Sequence, residues 1–211
     1  MDAVQILDQV AKEVSVCEKC ELRYSRKHSV PGEGPANADL LFIGEGPGFY
    51  ENEQGRPFVG AAGKFLESLL ESIHMHRQQV FITNVVKCRP PGNRDPMPEE
   101  VRICTSSYLE RQIQAINPRV IVTLGRYSMG LFLPEAKISS IHGQSFWVKD
   151  RLVVPMFHPA AALHQASLKP SVEKDFARLP EIIAKALETQ AKNSPVPEVK
   201  PKTDAKQLSF F

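Results

Sequence analysis

The chain has 211 residues, 42% of them hydrophobic and 24% charged, the balance of a soluble globular domain and not of a disordered or fibrous chain. Its formal net charge is only +2. Lys192, Lys200, Lys202 and Lys206 against Glu198 and Asp204 account for all of it, so a nucleic acid would have to be met by a local basic patch and not by a global field. No apolar run has the length of a membrane span, and the N-terminus, Met1-Asp-Ala-Val-Gln-Ile-Leu7, does not read as a secretory signal, which points to a cytoplasmic, reducing setting.

In chain order, Asp2–Val14 reads as a helix with Ala3, Leu7, Val10 and Val14 inward. Cys17-x2-Cys20 follows, a pair that can grip a metal from a tight turn. Leu40–Ile43 is the first buried strand, and it ends in Gly44-Glu-Gly-Pro-Gly48. Glycines there let the backbone pass close to a ligand, although the pattern is not a dinucleotide fingerprint. Gly55-Arg-Pro-Phe-Val-Gly60 is a second turn, with Phe58 as its one large apolar group, either a core residue or an aromatic face for a flat base. Lys64–His74 reads as a helix. Val80–Val86 is the second strand, and Asn84 is its one amide, able both to give and to accept at a nucleobase edge.

Cys88 comes next, with Lys87, Arg89, Arg94 and Arg102 around it as a candidate phosphate-contacting patch. Pro98 followed by Glu99 and Glu100 starts a helix towards Ile116 that carries Cys104. Val120–Leu124 is the third strand, Arg126–Leu133 a short helix after Gly125, and Leu152–Phe157 the fourth strand, followed by His158-Pro-Ala-Ala161. Ser171 caps a last helix that ends near Leu187 and is split or kinked at Pro180. The strands are apolar without a period of two, and helices alternate with them, so the fold expected is a parallel sheet covered on both faces. Sites in such sheets form at the carboxyl ends of the strands, which here carry the Gly44–Gly48 turn, Asn84, Gly125 and His158.

Cys17, Cys20, Cys88 and Cys104 are the complete set of four cysteines. In a reducing compartment they read as one shared site. Four thiolates suit zinc or an iron–sulfur cluster. Structural zinc usually takes two close pairs, whereas fifteen residues separate Cys88 from Cys104, which tilts the reading towards a cluster. From about Thr189 the composition turns to Ser, Pro, Lys, Glu and Thr, so the expected organisation is one domain over 1–188 and a disordered tail over 189–211.

Taken together these segments resemble the iron–sulfur type of uracil-DNA glycosylase, family 4. The resemblance spans about residues 1–187 and rests on Cys17-x2-Cys20, Gly44–Gly48 with Glu51, Gly55–Gly60 with Ala62-Gly63, Thr83-Asn-Val-Val-Lys-Cys-Arg-Pro-Pro-Gly-Asn-Arg94, Cys104 and His158–Ala161. It implies a three-layer α/β/α sandwich on a four-stranded parallel sheet, with a structural [4Fe–4S] cluster on Cys17, Cys20, Cys88 and Cys104. It implies that uracil is flipped from DNA and its N-glycosidic bond hydrolysed, leaving an abasic site. Under it, Phe58 stacks on uracil, Asn84 reads its edge, and His158 with the backbone of Glu45 and Gly46 meets the charge developing on O2. Glu45 is the candidate for steadying the sugar cation or positioning water, with Glu51 as the alternative. Lys87, Arg89 and Arg94 meet phosphates, and Leu163 fills the gap in the duplex.

The chain departs from its relatives in three places. Gly46 stands where the family usually has Ala and other members of the superfamily have Asp. The stretch Cys88–Arg94 lacks the inserted His of a product-trapping branch, so ordinary turnover is expected. Ala162 stands where relatives often have the wedge leucine, with Leu163 next. Gln207-Leu-Ser-Phe-Phe211 resembles the short motif by which bacterial repair enzymes and polymerases dock on the sliding clamp, with Gln207, Leu208, Phe210 and Phe211 as anchors. The chain is otherwise expected to act as a monomer. Two rival readings are a non-catalytic nucleic-acid binder braced by its cluster and a redox or zinc-ribbon protein.

Overall fold

The computed structural model describes residues 1–193. Five strands form one sheet in the order β2-β1-β3-β5-β4. They are β1 (Leu40–Gly44), β2 (Phe81–Asn84), β3 (Val120–Leu124), β4 (Phe146–Val148) and β5 (Arg151–Met156). β2, β1, β3 and β5 run parallel, and β4 joins β5 antiparallel at the edge. The sheet therefore has one more strand than the four expected. β4 is three residues long, half-exposed, and reaches β5 through a turn in which Lys149 takes φ 56 without glycine or asparagine to signal it.

Successive side chains of a strand point to opposite faces, and two cores result. Leu40, Phe42, Ile82, Val120, Val122, Leu152, Val154 and Met156 face one layer of helices. That layer comprises α3 (Ala61–Ser72), α8 (Pro159–His164), α9 (Lys169–Ala177) and α10 (Leu179–Asn193). Phe42 stacks on Phe176 of α9 with ring centroids 6.0 Å apart. Leu41, Ile43, Phe81, Ile121 and Val153 face the other layer, which holds α1 (Ala3–Ser15), α4 (Pro98–Cys104) and α5 (Glu110–Ile116). All four cysteines belong to or pack on this second core.

The helix expected from Pro98 to Ile116 is one rod interrupted by a π-helical turn at Thr105–Leu109, directly after Cys104. Such single-turn segments within α-helices are frequently found at functional sites. α1 is capped by Asp2, whose carboxylate accepts from the Gln5 backbone amide while Gln5 Oε1 accepts from Asp2 N. The C-terminal helical segment divides at Arg178, before Pro180, but α10 continues to Asn193, past the helix end expected near Leu187. Gln190, Ala191 and Lys192 are good helix formers, and the shift in composition at Thr189 does not oppose a helix by itself. Residues 194–211, and with them the proposed tail anchors Gln207, Leu208, Phe210 and Phe211, lie outside the described residues. Among the described residues, no helix is long and apolar enough to cross a membrane.

Candidate active site

The carboxyl ends of β1, β2 and β5 open on one crevice, and β3 ends beside it, where Gly125 abuts His158. Gly44 closes β1 and is in register with Asn84, which closes β2. A Cβ on Gly44 would lie 2.3 Å from Asn84 Oδ1 and 2.8 Å from the Phe58 ring, so the three meet only because position 44 has no side chain. The turn after β1 stays beside β2, where Val85 N donates to Gly44 O at 3.0 Å and Val86 N to Glu45 O at 3.1 Å. Gly46 is equally confined, since a Cβ there would be 2.8 Å from Val86 Cγ2.

Asn84 is 1% exposed, and its Oδ1 has no hydrogen-bond partner. A buried acceptor left empty costs about 1–3 kcal/mol, so this carbonyl is set for a donor that arrives from outside the chain. Phe58 adopts φ 51, a conformation unfavourable to a bulky residue. It is held there by Arg77, which donates to Phe58 O at 2.8 Å and to Pro57 O, and which pairs with Glu33 at 2.5 Å. Gly63 of α3 lets the helix approach, since a Cβ there would sit 1.9 Å from Phe58 O.

His158 follows β5 and faces the Phe58 ring at 5.5 Å between centroids. Gly125, at φ 90 after β3, leaves it room. The Ala160 amide donates to His158 Nδ1 at 3.1 Å. That bond makes Nδ1 an acceptor and leaves the ring proton on Nε2. Burial pushes the imidazole pKa down to about 4, against a smaller upward pull from Glu51. The ring is therefore neutral at physiological pH and presents Nε2–H as a donor.

Phe58, Asn84, His158, Glu45 and Gly46 line one cavity of about 510 Å³. The Glu45 carboxylate makes no hydrogen bond among the described residues. Its pKa is raised by burial and by nearby Asp95, partly offset by Arg126. Glu51 is occupied differently. Its Oε1 accepts from Val59 N and Gly60 N, each at 2.8 Å, and its Oε2 from Gly48 N at 3.1 Å, so it ties the two glycine turns together.

The DNA-contact residues read from the sequence divide. Lys87 is a correction: it is 1% exposed, and its Nζ donates to Thr83 Oγ1 at 2.6 Å, Gln112 Oε1 at 2.7 Å and Asn84 O at 2.8 Å, so it reaches no phosphate. Residues 85–88, which follow β2, are all buried, and Lys87 with them. Lys87→Ala is expected to strip donors from three buried acceptors and to destabilise by about 1–3 kcal/mol for each left unsatisfied. The salt dependence of DNA binding, measured by titration at several ionic strengths, should not change; a shallower salt slope would restore Lys87 as a phosphate contact. Arg94 pairs through both terminal nitrogens with Glu100, at 2.7 and 2.9 Å, and still lines the cavity. Arg89 bonds Asn93 Oδ1 at 2.7 Å and covers the Phe49 ring. Leu163 lies on α8, 50% exposed, next to His164 of the cavity wall.

Asn93, Asp95 and His164 line the cavity without having been singled out in the sequence. Asp95 pairs with Arg126 at the start of α6 (Arg126–Gly130), from the next crossover. Only the adjacency of residues 93–95 to Cys88 hinted at them.

Cys88 and Cys104 are buried, and Cys17 and Cys20 are half-buried. Lys87 N donates to Cys104 Sγ at 3.3 Å, and Arg26 lies 3.8 Å from Cys88 Sγ while donating to Cys17 O at 2.7 Å. Backbone and guanidinium donors aimed at sulfur suit thiolates, and the apolar surroundings suit a closed site. Among the described residues, no three or more His, Cys, Asp or Glu side chains are gathered as ligands of a metal ion.

A mostly parallel sheet covered by helices on both faces, with Asn84, His158 and the Phe58 ring brought together around one cavity at its carboxyl end, is an α/β/α enzyme architecture. The Uracil DNA glycosylase superfamily matches this chain over residues 31–180, and the chain belongs to it. The chain is 46% identical to the Type-4 uracil-DNA glycosylase of Sulfurisphaera tokodaii, over 83% of this chain and 84% of that protein. It is 44% identical to the Type-4 uracil-DNA glycosylase of Archaeoglobus fulgidus, over 86% and 96%. It is 40% identical to that of Thermotoga maritima, also over 86% and 96%. Within the superfamily it is a member of the type-4 uracil-DNA glycosylases.

Proposed function

We propose that the chain excises uracil from DNA as a monofunctional glycosylase, with Phe58, Asn84, His158, Glu45 and Gly46 as its base-binding and catalytic residues. The observation that carries the reading is the empty, buried Asn84 carbonyl beside the Phe58 ring and the neutral His158. The target nucleotide rotates out of the duplex at a cost of a few kcal/mol. Phe58 stacks on the base. Asn84 Oδ1 accepts from uracil N3–H, and its amide donates to O4. Cytosine offers a lone pair at N3 and an amino group at the neighbouring carbon, so both contacts fail and both groups stay unpaired.

The C1′–N1 bond then breaks with its electron pair on uracil. His158 Nε2–H bonds O2 as negative charge gathers there, helped by the Glu45 and Gly46 amides. Water adds to the cationic sugar carbon and gives up a proton that ends on the uracil anion, and Glu45 steadies that cation or orients the water. Incubation with uracil-containing DNA followed by alkali should cut the strand at the former uracil; intact DNA would end the proposal and favour a non-catalytic binder. Arg89 and Arg94 meet phosphates, and Leu163 enters the gap left by the extruded base. The enzyme acts as a monomer in the cytoplasm.

The four cysteines would hold a [4Fe–4S] cluster, which would brace the loop carrying Arg89 and Arg94 and take no part in bond breaking. A cluster places each thiolate on a different iron, so the sulfurs need not converge on a single point as they must for zinc. Cys88→Ala is expected to lose bound iron and acid-labile sulfide and to melt several degrees lower. A wild-type protein that carries stoichiometric zinc and no sulfide would replace the cluster with a zinc site. Gln207, Leu208, Phe210 and Phe211 would anchor a bacterial sliding clamp. Deleting residues 207–211 should remove clamp binding and leave turnover on short DNA intact, and equal clamp affinity for the shortened chain would dismiss the anchor.

A further inference from the structure

We infer that Phe49 and Tyr50 form a stacking platform for an unpaired base that neighbours the extruded uracil on the same strand, an inference that rests on the glycosylase reading above. The two side chains open α2 (Phe49–Gln54) directly after Gly48, a residue of the cavity wall. They are large, adjacent and solvent-facing, Phe49 51% and Tyr50 59% exposed, and they pack edge to face at 5.4 Å. Exposing two neighbouring aromatics directly after a residue of the cavity wall has a cost that burial elsewhere would remove. The Arg89 guanidinium lies 5.2 Å from the Phe49 centroid, and its Nε is held by Asn93, another residue of the wall.

The rim thus combines a π-face and a fixed cation continuous with the base pocket, the pairing that holds single-stranded nucleic acid, where bases stack on aromatics and phosphates meet arginine. A base next to a flipped nucleotide has lost one stacking neighbour. In duplex DNA its Watson–Crick partner still holds it, whereas in single-stranded DNA it is free to swing onto Phe49.

The test compares the wild type with Phe49→Ser/Tyr50→Ser on oligonucleotides containing one uracil, single-stranded and duplex. Base stacking contributes about 1–3 kcal/mol per base, so KM on the single strand should rise about 5-fold or more with kcat within about twofold, and the loss on the duplex should be smaller. Phe49→Trp/Tyr50→Trp should restore the single-strand KM. A 2-aminopurine placed beside a non-cleavable uracil analogue should be quenched on binding the wild type and not on binding the serine variant. An unchanged single-strand KM, an equal loss on both substrates or a fall confined to kcat would overturn the platform. A wild type that releases no uracil would instead overturn the glycosylase reading.

Discussion

His158→Ala is expected to lower kcat about 100- to 1,000-fold, the range for removing one donor that meets developing charge, with the affinity for uracil-containing DNA nearly intact. The structure adds a second expectation that separates this role from general acid catalysis. A histidine that delivered a proton would have to be charged near neutrality. Here Nδ1 is committed to the Ala160 amide, and burial depresses the pKa to about 4. No inflection from His158 should therefore appear in kcat/KM near pH 6.5. An acid limb that belongs to Glu45, whose carboxyl is held above its ordinary value, should disappear in Glu45→Gln.

The stability sign follows from the same shift. The unfolded imidazole takes a proton below about pH 6.5, whereas the folded one takes it only near 4. The contribution of the neutral ring is complete above about 6.5 and is lost as pH falls towards 4, and His158→Ala should flatten that part of the acid-denaturation curve. A rate that rises on protonation with an apparent pKa near 6.5, measured by single-turnover assays across pH 4–8, would remove the neutral-donor role.

The sheet was legible because four strands are short apolar runs set between amphipathic helices, and parallel strands buried on both faces produce such runs. The convergence of Gly44, Asn84, Gly125 and His158 was legible for a topological reason, since all of them stand at carboxyl ends of those strands. β4 was not. Three residues with an exposed Trp147 carry no pattern, and the turn residue Lys149 disguises the hairpin. Lys87 was misplaced because a cation beside Arg89 reads as surface, whereas Thr83 and Gln112, far apart in the chain, supply the oxygens that let it be buried. The pairing of Asp95 with Arg126 joins two crossovers and has no local signal. Phe49 and Tyr50 stood in plain view directly after the Gly44–Gly48 turn. Only their exposure beside the cavity distinguishes them from core aromatics.

Gly44→Ala is the smallest change expected to disable the site. The added methyl would lie 2.3 Å from Asn84 Oδ1, inside any tolerable contact, and 2.8 to 2.9 Å from two Phe58 ring carbons. Neither neighbour has an easy retreat. Asn84 closes a strand in register with Gly44, and the Phe58 backbone is clasped between Arg77 and α3. Either β1 shifts from β2 or the amide and the ring turn out of the positions that meet a base. A displacement of about 1 Å costs on the order of 100-fold in rate, so kcat/KM should fall at least that far. Overpacking of this kind destabilises by about 1–3 kcal/mol, which leaves a folded protein on which free uracil can be titrated and should bind weakly. Gly130→Ala supplies the control. A Cβ at Gly130, in α6, meets nothing within 4 Å, and alanine is the better helix former there, so stability should hold or rise by up to about 1 kcal/mol. If Gly44→Ala kept full excision rates, the side chains of Asn84 and Phe58 would not be held where the recognition of uracil requires them.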